Sequence, residues 1–388
     1  MGKIGYFGTL PLLLLMMMMY VWNTDGKVAA GKDSEHCAAL GRAVKDFCSY
    51  PVVKKHCPNL CKDGKSPKLS CGKNLHTPKM KGLQDLQKPT KRTLKHLSHR
   101  GSKRVIGGEK SEQGEWPWHL TIRNYPKKEK TAVGARWCDA TILTENFVLS
   151  AAHCFHPDLK YQVGHSNFSA EHMKVIAGDY NTVTKEEFEQ EIQIAEYKSH
   201  PEFTGAFYDD KTLYNGQWAV MIHDFTLIKL ASPIKLEDGN KEQVCIPKTD
   251  NHNTWKDAKC FSYGYGYTEE KKLANYIREV ELPLVPLDEC NAPKAYHDTV
   301  TEQHICAGYY EKGKSVCNFD SGASLVCKKN NRWFQLGLVS SGKLWNQTKG
   351  EDGLTKDKPC EAHDGDYGIF ANVVKNLDWI LETVLASK

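Results

Sequence analysis

The chain has 388 residues, 40% of them hydrophobic and 26% charged, with a formal net charge of +5. Those fractions lie near the globular average and exclude a disordered or collagen-like chain, and a single long apolar run excludes a polytopic membrane protein. The 14 cysteines, an even number, point to paired disulfides in an oxidising compartment rather than to a reduced cytosolic enzyme.

The N-terminus has a basic start at Lys3, an apolar run that includes residues 10–19, and then polar Asn23, Thr24 and Asp25. Val28-Ala29-Ala30 offers small residues for cleavage, so residues 1–30 read as a secretory signal peptide, with a single membrane anchor as the alternative. Cys37, Cys48, Cys57, Cys61 and Cys71 then mark a small module over residues 31–71. A segment this short cannot bury a sufficient core, so disulfides must hold it. Residues 72–104 carry ten Lys or Arg against one Asp, a net +9 that leaves the rest of the chain at −4 within the total of +5. This stretch is polar, contains proline and lacks an apolar period. It reads as a basic linker or propeptide rather than a site for a polyanion. It ends in Lys103-Arg104, followed abruptly by Val105-Ile106-Gly107-Gly108.

From residue 105 to 388 short apolar runs recur between Gly, Asn, Asp and Pro: Thr141-Ile142-Leu143, Phe147-Val148-Leu149, the run from Phe225 to Leu230, and Leu336-Gly337-Leu338-Val339. That pattern predicts an all-β sandwich or barrel. Val374, Leu377, Ile380 and Val384 have helical spacing and predict one amphipathic helix at the end. No internal repeat is visible.

Three segments carry chemistry. Ala151-Ala152-His153-Cys154 offers a base, His223-Asp224 opens an apolar strand with an acid, and Asp320-Ser321-Gly322 offers a hydroxyl in a tight turn. Serine is a weak nucleophile until a base takes its proton, histidine titrates near neutral pH, and a buried carboxylate fixes the histidine tautomer. Each segment alone is weak, because a lone His or Ser is usually structural. Together, in the order His, Asp, Ser, they match a known catalytic order.

With these residues, the stretch from Val105 to the C-terminus resembles the trypsin/chymotrypsin family of serine proteases. The resemblance extends to Val105-Ile106-Gly107-Gly108, Trp116-Pro117-Trp118, Tyr263-Gly264-Tyr265-Gly266, Ile305-Cys306-Ala307-Gly308 and Asp378-Trp379-Ile380. It implies two six-stranded antiparallel β-barrels with a C-terminal helix, with Ser321 as nucleophile, His153 as general base and Asp224 as orienting acid. It implies pairs Cys138–Cys154, Cys260–Cys327, Cys290–Cys306 and Cys317–Cys360, leaving Cys245, whose counterpart in such zymogens tethers the propeptide. The module, through Phe47-Cys48-Ser49 and the stretch from Lys54 to Cys61, resembles the ShK-toxin-like module, although it has five cysteines instead of six. Pairing Cys37–Cys57 and Cys48–Cys61 as its relatives would leaves Cys71, and hence Cys71–Cys245.

The resemblance further implies a zymogen cut after Arg104, whose new Val105 ammonium pairs with Asp320. Ser315 falls where trypsin-like enzymes carry an aspartate, and Gly342 and Gly368 stand at the pocket walls, which implies a preference for large apolar residues. Asp364-Gly365-Asp366-Tyr367 lies just before Gly368 and is a competing source of a carboxylate. The oxyanion donors would be the N–H groups of Ser321 and Phe319, the latter standing where the family usually has Gly. No cofactor is required. Asp179, Glu186 and Glu189 resemble a calcium loop, with a solvated acidic turn as the alternative. Asn167 and Asn346 begin glycosylation sequons. Expected partners are protein or peptide substrates, an activating protease and a protein ligand of the module, with no nucleic acid and no membrane span after signal removal. The expected location is extracellular. The reading is an active secreted endopeptidase, and the competing one is a protease-fold binding or regulatory protein with little catalysis.

Overall fold

The structure is a computed structural model that describes residues 32–74, 108–125, 134–156, 169–204, 220–236, 240–266, 273–310, 316, 320–342, 347–349, 355–357 and 366–387. Two short helices open it, α1 (Cys37–Ala43) and α2 (Pro51–His56). Pro51 suits the first position of α2, where its missing N–H has no helical partner to lose.

The apolar runs become strands. After the two-residue β1 (Glu109–Lys110) come β2 (His119–Asn124), β3 (Ala135–Ile142), β4 (Phe147–Ser150), β5 (Met173–Ala177), β6 (Gln190–Ser199) and β7 (Thr226–Leu230). Strands β2 to β7 close into an antiparallel barrel in the order β2-β3-β4-β7-β6-β5, which leaves no exposed edge. The second half contains β8 (Cys260–Gly264), β9 (Arg278–Glu281), β10 (Leu284–Val285), β11 (His304–Ala307), β12 (Ser324–Lys329), β13 (Arg332–Ser341) and β16 (Gly368–Asn372). They form one sheet ordered β1-β9-β8-β12-β13-β16-β11-β10, in which six longer strands carry the two-residue β1 and β10 at its edges. A separate hairpin pairs β14 (Gln347–Lys349) with β15 (Thr355–Asp357). This is the chymotrypsin-like architecture. The closing helix, Leu377–Leu385, buries Leu377, Ile380, Leu381, Val384 and Leu385, while Val374 sits in the preceding 3-10 turn.

The N-terminal helices do not build a core of their own. Leu40, Val44, Phe47 and Val53 are fully buried and belong to the same apolar cluster as Phe147, Val148 and Ile246 of the first half. The backbone joins too: Ile246 N–H donates to Ala43 O at 2.9 Å, and Lys45 N–H donates to Ile246 O at 3.0 Å. Gly72, expected in the linker, lies against β13. Its N–H donates to Gln243 O at 2.7 Å, and Trp333 N–H donates to its carbonyl at 3.0 Å. Its φ is +62° and a Cβ there would meet Trp333 O at 2.3 Å, so only glycine fits.

Phe47 tests this shared core. Phe47→Ala should cost about 3–5 kcal/mol and lower the melting temperature of the whole chain in one transition. A separate early transition, with the remainder melting as in the wild type, would show that the N-terminal segment is an independent unit.

Candidate active site

Strand register brings the candidate residues to one place. Ser150 of β4 pairs with Thr226 of β7, so His153 and Asp224 leave the same end of that strand pair. Ser324 of β12 pairs with Leu338 of β13, so Ser321 and Ser340 leave the same end of theirs. The two ends meet: Asp139 N–H donates to Ser321 O at 2.8 Å, and Ser150 Oγ donates to Asp139 O at 2.7 Å. Gly322, at φ +82°, packs so closely that a Cβ would lie 2.3 Å from Asp139 O. The serine turn of the second half is thereby fixed beside the histidine turn of the first.

Asp224 is fully buried. Its Oδ2 lies 2.8 Å from His153 Nδ1, its Oδ1 accepts the His153 backbone N–H at 2.8 Å, and Ser340 Oγ donates to Oδ2 at 2.6 Å. Burial alone would raise this carboxyl, but the His153 charge and these hydrogen bonds outweigh it and hold it below its ordinary range. With Nδ1 donating to the carboxylate, the basic nitrogen of a neutral His153 is Nε2.

Asp320 points into the second half, and Gly266 N–H donates to its Oδ1 at 2.8 Å. A Cβ on Gly264 would meet Asp320 Oδ1 at 2.3 Å and Asp139 Oδ2 at 2.8 Å, and a Cβ on Gly266 would meet Asp320 Oδ2 at 2.6 Å. That close approach explains the Tyr-Gly-Tyr-Gly stretch. It also limits the two carboxylate oxygens to at most 5.1 Å apart, the sum of 2.3 and 2.8 Å. Asp139 is a residue the sequence reading missed. It is buried, with its carboxyl raised well above the usual range by burial and then by Asp320. His119 Nε2 stands 3.6 Å from Asp139 Oδ1.

Of the two glycines expected at the pocket walls, a Cβ on Gly342 would find nothing nearer than Tyr296 Oη at 3.8 Å, whereas one on Gly368 would press on Phe370 at 3.0 Å and Val316 at 3.3 Å. Asp366 is buried two residues before Gly368. The structure places disulfides at Cys37–Cys57, Cys48–Cys61, Cys71–Cys245, Cys138–Cys154, Cys260–Cys327 and Cys290–Cys306. Arg104, Val105, Ser315, Cys317, Phe319, Cys360, Asn167, Asn346 and residues 1–31 lie outside the described residues. Among the described residues no helix is long and apolar enough to cross a membrane.

Asp179, Glu186 and Glu189 each offer an oxygen within 4.8 Å of the others. Asp179 Oδ2 takes Arg123 Nη2 and Thr121 Oγ1, both at 2.7 Å, while its buried Oδ1 has no hydrogen-bond partner among the described residues. Burial raises Glu186 and Glu189, and the charge of Asp179 adds to it. The donor set therefore fits a hard cation.

A family model named trypsin matches residues 105–380. The chain belongs to the trypsin family. This trypsin-family chain is 28% identical over 282 residues to coagulation factor XI of Bos taurus, covering 72% of the chain and 37% of that relative. It is 28% identical over 288 residues to ovochymase of Halocynthia roretzi, covering 73% of the chain and 15% of that protein. The chain thus spans well under half the length of these relatives. Within the trypsin-family region, Ser340 and His119 join Asp139 as site neighbours that sequence spacing did not mark.

His119 yields a test of pH. Burial pushes its imidazole down to about 3. Between about pH 6.5 and pH 3 the unfolded chain binds a proton that the native state refuses, so native stability falls as pH drops through that window, by about 1.4 kcal/mol per unit. His119→Phe keeps the edge-to-face packing on Tyr263 and should remove this increment. The check is the unfolding free energy of both forms at pH 7 and pH 4.5. Equal losses in both forms would show that native His119 takes up the proton.

Proposed function

We propose that the chain is a secreted serine endopeptidase, made as a zymogen, in which Ser321, His153 and Asp224 act as a catalytic triad. The observation that carries this reading is the fully buried Asp224 carboxylate at 2.8 Å from His153 Nδ1. That bond fixes the tautomer and leaves Nε2 as the base. Ser321 Oγ attacks the scissile carbonyl carbon while His153 Nε2 takes the hydroxyl proton, and the carbonyl π electrons move onto oxygen. The oxyanion is held by the N–H groups of Ser321 and Phe319. Collapse breaks the C–N bond, and the imidazolium returns its proton to the leaving amine. Water, deprotonated by the same histidine, then attacks the acyl carbon, and as the C–Oγ bond breaks the imidazolium returns its proton to Ser321 Oγ.

Cleavage after Arg104 frees the Val105 ammonium, which pairs with Asp320 and orders the serine turn. Ser315 at the base and Gly342 and Gly368 at the walls favour Phe, Tyr, Leu or Met before the scissile bond. Cys71–Cys245 keeps the N-terminal segment attached after the cut, where it is available to a protein ligand. Disulfides and the apolar N-terminus support an extracellular setting. One feature favours a second reading, a weak or inactive homologue: Phe319 in the oxyanion position, where a bulky side chain is penalised if φ is positive.

The full chain, cut after Arg104, should label with a fluorophosphonate probe and cleave peptides after Phe or Leu faster than after Arg. Ser321→Ala and uncut Arg104→Gln protein should not label. A correctly cut chain that neither labels nor turns over would favour the homologue reading, and preference for Arg would overturn the apolar pocket.

Calcium at Asp179, Glu186 and Glu189 would offset two of the three carboxylate charges and stiffen their loop, away from the reacting atoms. Calcium should therefore raise the melting temperature by a few degrees over a chelator control, and Asp179→Asn should abolish the difference. An equal melting temperature in calcium and chelator would leave the loop as an acidic turn.

A further inference from the structure

Immediately before Asp224 two stretches of chain meet. Thr204 N–H donates to Ile222 O at 3.1 Å and Ile222 N–H to Thr204 O at 2.9 Å, which sets His200 and Glu202 beside His223. The two imidazoles stack, 4.3 Å between centroids and 8° between planes, and Trp379 packs on His200 at 4.7 Å. Glu202 Oε2 lies 3.5 Å from His223 Nε2. A ligating atom of each of the three residues is within 4.8 Å of the other two.

The second-layer bonds decide what His223 presents. Its Nδ1 stands 2.6 Å from Asn376 Oδ1. That amide cannot turn over without loss, because Asn376 Nδ2 donates to Gln303 Oε1 at 3.2 Å and to Asn372 O at 2.9 Å. The Asn376 oxygen therefore faces the ring, Nδ1 donates to it, and a neutral His223 turns the Nε2 lone pair toward the Glu202 carboxylate. Two acceptors facing each other repel unless a cation lies between them. An imidazole whose far N–H is held by an amide oxygen is also the arrangement that orients metal-bound histidines.

We propose that His200, Glu202 and His223 form a zinc-class divalent metal site that is coupled to Asp224. Two imidazoles and one carboxylate suit Zn²⁺, with water in the fourth position. An ion about 2.0–2.1 Å from each nitrogen lies in the plane of each ligating ring, so the stacked rings must separate. His200 gives up the Glu202 N–H bond that its Nδ1 accepts at 3.2 Å. Glu202, whose side chain is 74% exposed, gives the ion entry from solvent. His223 sits at φ +53°, a costly conformation for a residue other than glycine, and Phe225 N–H donates to its carbonyl at 2.8 Å across Asp224. With its ring held by both the ion and Asn376, His223 pulls on this strained turn, which shifts Asp224 from His153 and Ser340 and makes the metal-bound form the slow one. This inhibitory effect rests on the proposed triad, whereas metal binding does not.

The two are separable. Full-length Ser321→Ala protein, titrated calorimetrically with ZnCl₂ in excess CaCl₂, should bind one Zn²⁺ at micromolar affinity. His200→Ala and Glu202→Gln should each weaken binding at least tenfold, and His153→Ala should leave it unchanged. In the activated wild type, Zn²⁺ should cut turnover at least fivefold and a chelator should restore it, while Glu202→Gln keeps basal turnover and loses the inhibition. No stoichiometric binding, or binding that survives both His200→Ala and Glu202→Gln, overturns the site. Binding that vanishes in His153→Ala assigns the metal to the triad histidine and overturns it too. Stoichiometric binding with unchanged turnover overturns the coupling. If the activated wild type has no turnover at all, the protease reading fails, and the calorimetry still decides the site.

Discussion

Asp224 is a carboxylate with no access to water, and the bonds that compensate its burial come from two separate stretches of chain. His153, from the turn after β4, gives two bonds. Ser340, at the far end of β13 and 116 residues away in sequence, gives the third. An isolated buried carboxylate would take up a proton, so its charge depends on both halves being docked. That dependence runs both ways. The docking seam includes Thr141 and Ser324, whose hydroxyls touch, and Gln335 Nε2, which donates to Ser324 Oγ at 2.9 Å. The charge state of the site and the fit of the halves are one constraint.

The N-terminal segment obeys a different economy. It is too small to enclose a core, and the structure solves this by lending it one: Leu40, Phe47 and Val53 complete the apolar cluster of the first barrel. The surface ion pair between Arg42 and Glu145, at 3.0 Å, is half-exposed and adds little. Apolar contact and backbone pairing through Ile246 set the placement, and Cys71–Cys245 makes it permanent. Cleavage in the stretch after residue 74 therefore would not free this segment from the rest.

Much of this was legible in the sequence because the informative residues sit beside elements that announce themselves. His153 and Asp224 flank apolar runs that became β4 and β7, and Ser321 precedes β12. The bond from Ser340 to Asp224 carried no signal, since it joins residues distant in sequence. Asp139 was hidden for another reason. In a half-exposed strand an acid between Cys138 and Ala140 would face water, but β3 is buried on both faces from Trp137 to Ile142 because the second half covers it. β1 and β10 are two residues each, too short for an alternating pattern to show. The shared core was invisible because apolar spacing in α1 and α2 shows which face is buried, not what buries it.

Asp139 changes the charge arithmetic of the pocket around Asp320. Two carboxylates no more than 5.1 Å apart in a dry site cannot both stay ionised against one incoming ammonium without leaving a net negative charge. Two groups can absorb the excess by taking up a proton: Asp139 or His119. Burial drives His119 toward its neutral form, and it drives Asp139 toward its neutral form as well. The protonated Asp139 then costs no charge burial, while Asp320 keeps the Gly266 N–H on its Oδ1. On the proposed activation route, the Val105 ammonium meets one carboxylate and not two, and the pair closes at neutrality. The acid that looks redundant beside Asp320 is compatible with activation because its own burial silences it.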